Sequence, residues 1–302
     1  MMNNNRHTRI NFFSPTLESN GTLNEQTSVG SATFRPKKNS KEKSLKYNGE
    51  CGVSIREEPP WRIYDEDLSV MLDMWLSMVV RRDDGKIFAI RKFPEENADR
   101  IQRRYKSLNH HHLVTAFQIF RTDDPRDHLF VVSEFLPLHL DHMVADKVRP
   151  SDGQLASIMG QILNALCYLQ EQGLSHESLQ CSSVLFTFEG VLKIADFRDA
   201  KIRHGSENEF LDVKAAGYIM MQVMHHKRPT DGRMCVLDNS RGVDTVDFLA
   251  QIDAGSSAAE LTRHSFLSFP NGSPKWTPDQ LCGLVFKTIY SAQVDYVRVN
   301  DQ

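Results

Sequence analysis

The chain has 302 residues, 40% of them hydrophobic, so it is long enough to bury one large core or two medium ones. Its formal net charge is −3 with both signs mixed, which gives no indication of nucleic acid or of an acidic ligand as a partner. The five cysteines include no Cys-x-x-Cys pair and no apolar run reaches membrane length, so we expect an intracellular protein of the cytoplasm or nucleus, with no membrane partner.

Residues 1–57 are predicted to be a disordered N-terminal tail. They are rich in Asn, Ser, Thr, Lys and Gly and show no apolar periodicity, so they cannot bury enough surface to offset the entropy of ordering. Residues 35–46 are strongly basic, which is typical of a solvated linker and also fits a nuclear-import or anionic-surface signal. We expect ordered structure to begin near Trp61.

The next part of the chain is predicted to be β-structure with one helix. Asp-Asp-Gly-Lys at 83–86 is a hairpin turn signal, and Ile87 to Phe93 follows as a strand. Glu95 to Leu108 has the apolar stripe of an amphipathic helix. Val114 to Phe120 and His128 to Phe135 then read as the two strands of a hairpin.

Between these elements lie three consecutive histidines, His110 to His112. Histidine is a common metal ligand, but consecutive residues do not converge on one ion, and no Cys or carboxylate motif accompanies them. We therefore expect no metal site there.

The second half of the chain is predicted to be mainly helical. Ser151-x-x-Gln154 is a capping box that opens a strongly periodic apolar helix, and Gly173 ends this helix. Thr277 and Pro278 open a last amphipathic helix, which we expect to pack on the same lobe rather than on a partner.

The stretch from Gly173 to Ala200 is predicted to be a loop, a hairpin and a second loop. Val184 to Phe186 and Val191 to Ala195 are short apolar strands, with a turn at Phe188-Glu189-Gly190. Such a hairpin places the loops at His176 and Asp196 side by side, and paired loops on a rigid support commonly form a site.

This stretch resembles the catalytic half of a eukaryotic protein kinase, whose motifs are His-Arg-Asp-Leu-x-x-x-x-Asn and Asp-Phe-Gly. His176, Leu179 and Asp196-Phe197 match the family pattern. The departures fall on the chemistry. Ser178 stands at the catalytic Asp position, Ser183 at the metal-binding Asn position, and Arg198 replaces the Gly after Asp-Phe. The two serine replacements, the inserted Gln180-Cys181-Ser182 and the short segment after Asp196-Phe197, which lacks Ala-Pro-Glu, are also similar to a group of degenerate fungal kinase-like proteins.

The resemblance extends to the preceding part of the chain. Ile87 to Phe93 resembles the Val-Ala-Ile-Lys strand, with Arg91 at the lysine position and facing the cleft, or else an ordinary hairpin charge. The helix glutamate that would pair with it falls on Ile101. Leu68 to Arg82, where the family has its glycine-rich phosphate loop, contains no Gly. Ser133 to Phe135 resembles the hinge, so a nucleotide would contact Glu134 and Leu136.

The resemblance implies an α+β, two-lobed kinase-like fold with a small, mainly β lobe that carries one helix and a larger, mainly α lobe. We expect the kinase-like domain at 58–274, with lobes at about 58–134 and 137–274, and a C-terminal helix at 275–302. His176 and Phe197 should be core residues in an aromatic column that includes Tyr105. Asp212 should begin the next large helix.

The resemblance implies ATP and Mg²⁺ as cofactors, held by Arg91, Glu134, Leu136 and Asp196, with Asp196 and Ser183 as metal ligands. Because a serine cannot act as the carboxylate base, the leading hypothesis is a pseudokinase that binds protein partners in signalling. The alternatives are a divergent active kinase that phosphorylates Ser or Thr, with Asp199 or Glu177 as base, and an ATP-binding switch without catalysis.

Overall fold

The computed structural model describes residues 52–71, 75–136, 138–202, 209–226, 234, 241–291 and 295–298, together with a two-residue strand at Thr8–Arg9. These residues form a mainly β lobe followed by a mainly helical lobe. The expected α+β, two-lobed architecture is confirmed.

The small lobe is built on an eight-stranded sheet in the order β1-β13-β3-β4-β5-β7-β6-β2. Neighbouring strands are antiparallel except β2 and β6, which run parallel. The strands are β1 (Thr8–Arg9), β2 (Ser54–Arg56), β3 (Tyr64–Met71), β4 (Trp75–Arg81), β5 (Ile87–Phe93), β6 (Ala116–Arg121), β7 (Leu129–Glu134) and β13 (Asp295–Arg298).

One helix, α1 (Glu95–Ser107), packs beside this sheet. Its buried residues are Ala98, Ile101 and Tyr105, spaced three and four apart as one helical face requires. Glu95 and Glu96 lie in its first turn, where carboxylates favour the positive end of the helix dipole. The predicted helix and the strand Ile87–Phe93 are both confirmed.

The large lobe is organised around α3 (Asp152–Glu171), whose apolar residues are buried through most of its length. The predicted capping box opens it: Ser151 Oγ accepts from the Gln154 backbone N–H, and Gln154 Oε1 accepts from that of Ser151. The other helices are α2 (Leu140–Ala145), α4 (Glu209–His225), α5 (Val243–Asp253), α6 (Ala258–Leu261) and α7 (Cys282–Ser291).

Five short strands complete the large lobe and carry its loops. They are β8 (Leu138–His139), β9 (Leu174–Ser175), β10 (Val184–Phe186), β11 (Leu192–Ile194) and β12 (Lys201–Ile202). β10 pairs with β11 and β8, and β12 pairs with β9. The predicted hairpin is therefore present, although its return strand is shorter than the range Val191 to Ala195.

The predicted tail boundary at residue 57 is wrong by a few residues. β2 pairs with β6 through Ile55 and Ile119, and Val53 is buried in the main core. Val53 and Ile55 are too few to show an apolar periodicity, and the partner strand β6 lies far along the chain. The local pattern therefore did not reveal β2. Most of residues 1–51 lie outside the described residues.

The C-terminal segment is not a single helix as predicted for 275–302. A 3-10 turn at Pro278–Leu281 leads into α7, which ends at Ser291, and β13 then pairs with β3 of the small lobe. Leu281 of the 3-10 turn and Val285 of α7 are buried in the main core. Residues 292–294 of this segment lie outside the described residues.

Among the described residues, none of the helices is both long enough and apolar enough to cross a membrane.

Candidate functional site between the lobes

The hairpin of β10 and β11 is fixed to α3 by one buried glutamine. Gln161 is 0% exposed; its Oε1 accepts from the Leu192 backbone N–H at 2.8 Å and its Nε2 donates to the Gly190 carbonyl at 3.2 Å. Gly190 has φ +82°, and a Cβ there would lie 2.2 Å from the Pro278 carbonyl oxygen. The turn is thus held between α3 and the C-terminal segment, which sets where its two flanking loops lie.

The loop at His176 is held by a buried carboxylate from α4. Asp212 accepts from the His176 backbone N–H at 2.6 Å and from that of Glu177 at 2.9 Å. Glu177 has φ +69°, a left-handed conformation that costs a non-glycine residue about 1–3 kcal/mol. These charge-assisted hydrogen bonds offset that strain. Asp212 lies inside α4, which begins three residues earlier, at Glu209, than the sequence predicted.

The expected aromatic column joins the lobes. Phe197 contacts Tyr105 of α1 at 5.7 Å and His176 at 5.6 Å between ring centroids, both edge-on. His176 is fully buried and its Nε2 lies 2.8 Å from the Ala195 carbonyl oxygen, to which it donates. His176 and Phe197 are therefore core residues, as predicted.

Asp196 is bound by a residue of its own loop. Arg198 donates from Nε to Asp196 Oδ1 at 2.7 Å and from Nη2 to Oδ2 at 2.5 Å, a bidentate pair. Burial raises the pKa of the Asp196 carboxyl, but the Arg198 hydrogen bonds and the nearby Arg91 charge outweigh burial, so the pKa is lowered. Both oxygens that could hold a metal ion are thus occupied by a guanidinium.

Arg91 faces this site and Lys92 faces away from it, as strand alternation predicts. The positive charge of Arg91 contributes to the lowered pKa of the Asp196 carboxyl and opposes the burial that raises the pKa of Tyr105. Lys92 instead lies 3.7 Å from Asp127 and over the Trp61 ring. Ile101, at the family's glutamate position, is buried, and among the described residues Arg91 forms no ion pair with a glutamate.

The two serines at catalytic positions offer little to a metal or a substrate. Ser183 donates to the Gln180 carbonyl at 2.8 Å and accepts from the Gln180 backbone N–H at 3.1 Å, so its hydroxyl caps its own loop. The Ser178 Oγ is buried and has no hydrogen-bond partner among the described residues. Neither residue supplies a carboxylate or an amide oxygen.

Glu177, a candidate base in the same loop, already has partners for its carboxylate. Glu177 accepts from Ser175 Oγ at 2.6 Å and pairs with Lys201 at 3.2 Å. The Ser175 hydrogen bond and Lys201 lower the pKa of Glu177. A carboxylate with a lowered pKa is a weaker base, so Glu177 is poorly suited to that role. Asp199, the other candidate base, is exposed.

At the hinge, Glu134 is tied to the large lobe. Its Oε1 lies 2.7 Å from Lys193 Nζ of β11 and accepts from the Thr115 backbone N–H at 2.7 Å. Its own backbone N–H donates to the Thr115 carbonyl. The Leu136 side chain packs in a cluster with Val114, Leu185 and Ala195. Sequence reasoning placed Glu134 and Leu136 at the hinge but did not foresee the Lys193 pair.

Two parts of the predicted site lie partly outside the described residues. β3 and β4 pair from Met71 and Trp75 onward, and the connecting residues 72–74, where the family has its phosphate loop, are not described. In the segment after Asp196, residues 203–208 are likewise not described. β12 places Lys201 and Ile202 beside β9 before that gap.

The three consecutive histidines lie close together, with ring centroids 5.6 Å apart for His110 and His112 and 4.9 Å apart for His111 and His112. His110 stacks on Tyr168 at 4.7 Å, and His112 Nδ1 lies 3.0 Å from the Leu192 carbonyl oxygen. Burial lowers the pKa of His112 to about 4, so that ring is neutral at pH 7. His111 is exposed.

Comparisons with known proteins agree with this architecture. The protein kinase domain family matches residues 76–233. A protein of Encephalitozoon cuniculi named "Probable cell division protein kinase" is 30% identical over 124 residues, which cover 39% of each chain. Mouse cyclin-dependent kinase-like 4 is 28% identical over 134 residues, 40% of this chain and 37% of the relative.

A third relative is the serine/threonine-protein kinase cds1 of Schizosaccharomyces pombe. It is 31% identical over 126 residues, covering 40% of this chain and 26% of the relative. The match thus spans about two fifths or less of the length of these curated relatives. Protein kinase domains in general use ATP and Mg²⁺. The family match covers more than half of the chain, so this chain belongs to the protein kinase domain family.

Proposed function

We propose that this chain is a pseudokinase, a kinase-like domain that does not transfer phosphate and acts by binding protein partners in signalling. The observation that carries the proposal is the bidentate pair between Arg198 and Asp196, in which a guanidinium takes both carboxylate oxygens. Phosphoryl transfer depends on positioning and charge neutralisation, which metal ions on such a carboxylate provide.

The surrounding residues support the same proposal. Mg²⁺ needs oxygen ligands in near-octahedral geometry. The Ser183 hydroxyl is already hydrogen-bonded to the backbone of Gln180 in its own loop. Ser178 cannot accept a proton as a carboxylate would, and general-base assistance is worth roughly 10²–10⁴ in rate. The residues present therefore do not fit a magnesium–nucleotide complex.

A divergent active kinase is the second candidate, favoured by the names of the relatives, which are all kinases. Arg91 and Asp196 still face each other across the cleft. An ATP-binding switch without catalysis would use the same residues. The divergent-kinase alternative requires that Asp196 exchange its Arg198 partner for a metal ion.

A phosphotransfer assay tests the proposal. Purified protein is incubated with γ-labelled ATP and Mg²⁺ or Mn²⁺, alone and with a general Ser/Thr substrate protein, beside an Asp196→Ala variant. We expect incorporation in the wild type to equal that of Asp196→Ala. Metal-dependent phosphorylation that Asp196→Ala abolishes would overturn the proposal and establish the divergent kinase.

A further inference from the structure

A second concave site lies in the large lobe, outside the cleft. It is a half-open cavity of about 690 Å³ between α3 and the chain that follows α6, and its walls include Asn164, Arg263, Phe269, Lys275 and Trp276. None of its lining residues belongs to the loops at His176 or Asp196. Its size falls within the range of ligand-binding clefts in proteins.

The cavity has a preformed floor. Gly160 of α3 lets the Trp276 indole lie directly on the helix, because a Cβ at that position would be 2.1 Å from a Trp276 ring carbon. Trp276 also packs against the main core. A residue larger than glycine at position 160 would displace the indole, so the close contact between α3 and Trp276 depends on Gly160.

The rim opposite α3 is a hydrogen-bonded turn. The Phe269 backbone N–H donates to the Ser273 carbonyl at 2.9 Å, and that of Lys275 donates to the Leu267 carbonyl at 2.8 Å. Phe269 is 50% exposed at this rim, and Lys275 Nζ lies 5.6 Å from the centre of its ring. A rim of this kind loses little conformational entropy when a ligand binds.

The charged side chains that line the cavity are basic. Among the residues that the structure describes, Arg263 and Lys275 line the cavity and no Asp or Glu does. Lys275 Nζ lies 3.7 Å from Asp244 Oδ2, which partly neutralises its charge. Glu260, which belongs to the capping box of α6, lies near Arg263. Arg263 is exposed and pairs with no carboxylate within 4 Å among the described residues. Asn164 adds an amide that can both donate and accept.

We propose that this cavity is a docking site for a short acidic peptide segment of a partner protein. Arg263 binds a carboxylate of the peptide, Asn164 pairs with its main chain, and Phe269 with Trp276 receives a neighbouring apolar side chain. The combination of a guanidinium with aromatic surface is typical of peptide-binding hot spots. The proposal goes beyond the pseudokinase assignment and holds whether or not the cleft is active.

The test is a selection from a phage-displayed library of random peptides on the purified full-length chain. Synthetic copies of the enriched peptides are then titrated against wild type, Arg263→Glu and Asn164→Ala. Arg103→Glu, a change at an exposed arginine of α1, is the matched control. We expect enriched peptides to carry Asp or Glu beside an apolar residue, and to bind Arg263→Glu about tenfold or more weakly while Arg103→Glu is unchanged.

Hydrogen exchange locates the contact on the chain. The bound peptide should protect backbone amides in residues 262–276 of the wild type. Enriched peptides without acidic residues, equal affinity for the Arg263 and Arg103 variants, or protection elsewhere would overturn the proposal. Displacement of the peptide by glutarate at equal concentration would also overturn it, because the cavity would then be a site for small acids.

Discussion

At the scale of single residues, Arg198 forms a bidentate pair with the buried Asp196. A glycine at that position would leave the carboxylate free, whereas Arg198 places two donors on its two oxygens. Because the folded-state pKa of Asp196 is lowered, the pair stabilises the fold above the ordinary carboxyl pKa of 3.8 and is lost only as pH falls through the lower folded value. The pair is therefore intact at neutral pH.

A double-mutant cycle measures this pair. We expect Arg198→Ala to destabilise the domain by about 1–3 kcal/mol, because it leaves a buried carboxylate without its partner. This cost is smaller than for a fully buried ion pair, since the Arg198 side chain is 33% exposed. In urea denaturation, Arg198→Ala combined with Asp196→Asn should cost less than the sum of the two single changes. Strict additivity would show that the two residues do not interact in solution. Arg82→Ala, which breaks an exposed pair with Asp65, is the control.

The buried ring of His176 is predicted to be structural. His176→Ala removes a fully buried side chain that contacts Phe197 and donates to Ala195, so we expect a loss of roughly 1–3 kcal/mol in the free energy of unfolding. His111→Ala, at an exposed histidine, should change stability by less than about 0.5 kcal/mol. An unchanged urea midpoint for His176→Ala would contradict the aromatic column.

At the scale of secondary-structure elements, Gln161 couples α3 to the β10–β11 hairpin. Gln161→Leu keeps the volume but leaves the Leu192 N–H and the Gly190 carbonyl unsatisfied in the core, which costs about 1–3 kcal/mol per group. We expect a clear fall in melting temperature, whereas Gln172→Leu, at the exposed end of α3, should have little effect. Equal melting curves for the two variants would show that the hairpin does not depend on Gln161.

The edge strand β2 gives a second test at this scale. Deletion of residues 1–51 should leave the melting temperature nearly unchanged, because in the described structure it removes only the two-residue strand β1. Deletion of residues 1–57 also removes β2 and the buried Val53, whose burial contributes about 1.5–3 kcal/mol. We therefore expect the longer deletion to lower the melting temperature. Identical melting curves would restore the boundary predicted from sequence.

The elements that could be predicted from sequence were those with local signals. Ile87–Phe93 and α3 have clear periodicity and turn or cap residues at their ends, and both are confirmed. β2 and β13 are short, and each pairs with a strand distant in sequence, so no local pattern identifies them. Gln161 shows why parts of the site were missed: a polar residue in an apolar helix does not reveal which backbone groups it serves.

Parts of the site could be predicted where the type of residue and its position in the sequence were sufficient. Arg198 and Asp196 lie two residues apart, so their pairing could be anticipated, and strand alternation placed Arg91 toward the cleft. The pair between Glu134 and Lys193 joins the hinge to β11, and the sequence gives no sign that these two residues meet. The metal role considered for Ser183 depended on where its hydroxyl points, which only the fold determines.

At the scale of the whole molecule, several contacts between protein groups join the two lobes. The aromatic column links α1 to the loops below it, Lys193 holds the hinge glutamate, and β13 adds a strand from the C-terminal segment to the small-lobe sheet. In an active kinase, metal and phosphates neutralise the cleft and help to bring the lobes together. Here Arg91 and Arg198 place positive charge beside Asp196 from the protein itself.

Isothermal titration calorimetry with ATP and with adenosine, each with Mg²⁺ and with a chelator, tests the central claim most directly. Because Arg198 occupies both Asp196 oxygens, we predict weak binding by the wild type that does not change on removal of Mg²⁺, with ATP gaining little over adenosine. Arg198→Gly, which frees the carboxylate, should make any ATP binding more dependent on Mg²⁺, and Arg82→Ala should not. Micromolar affinity of the wild type for ATP that disappears when Mg²⁺ is chelated would contradict the account and favour an active kinase.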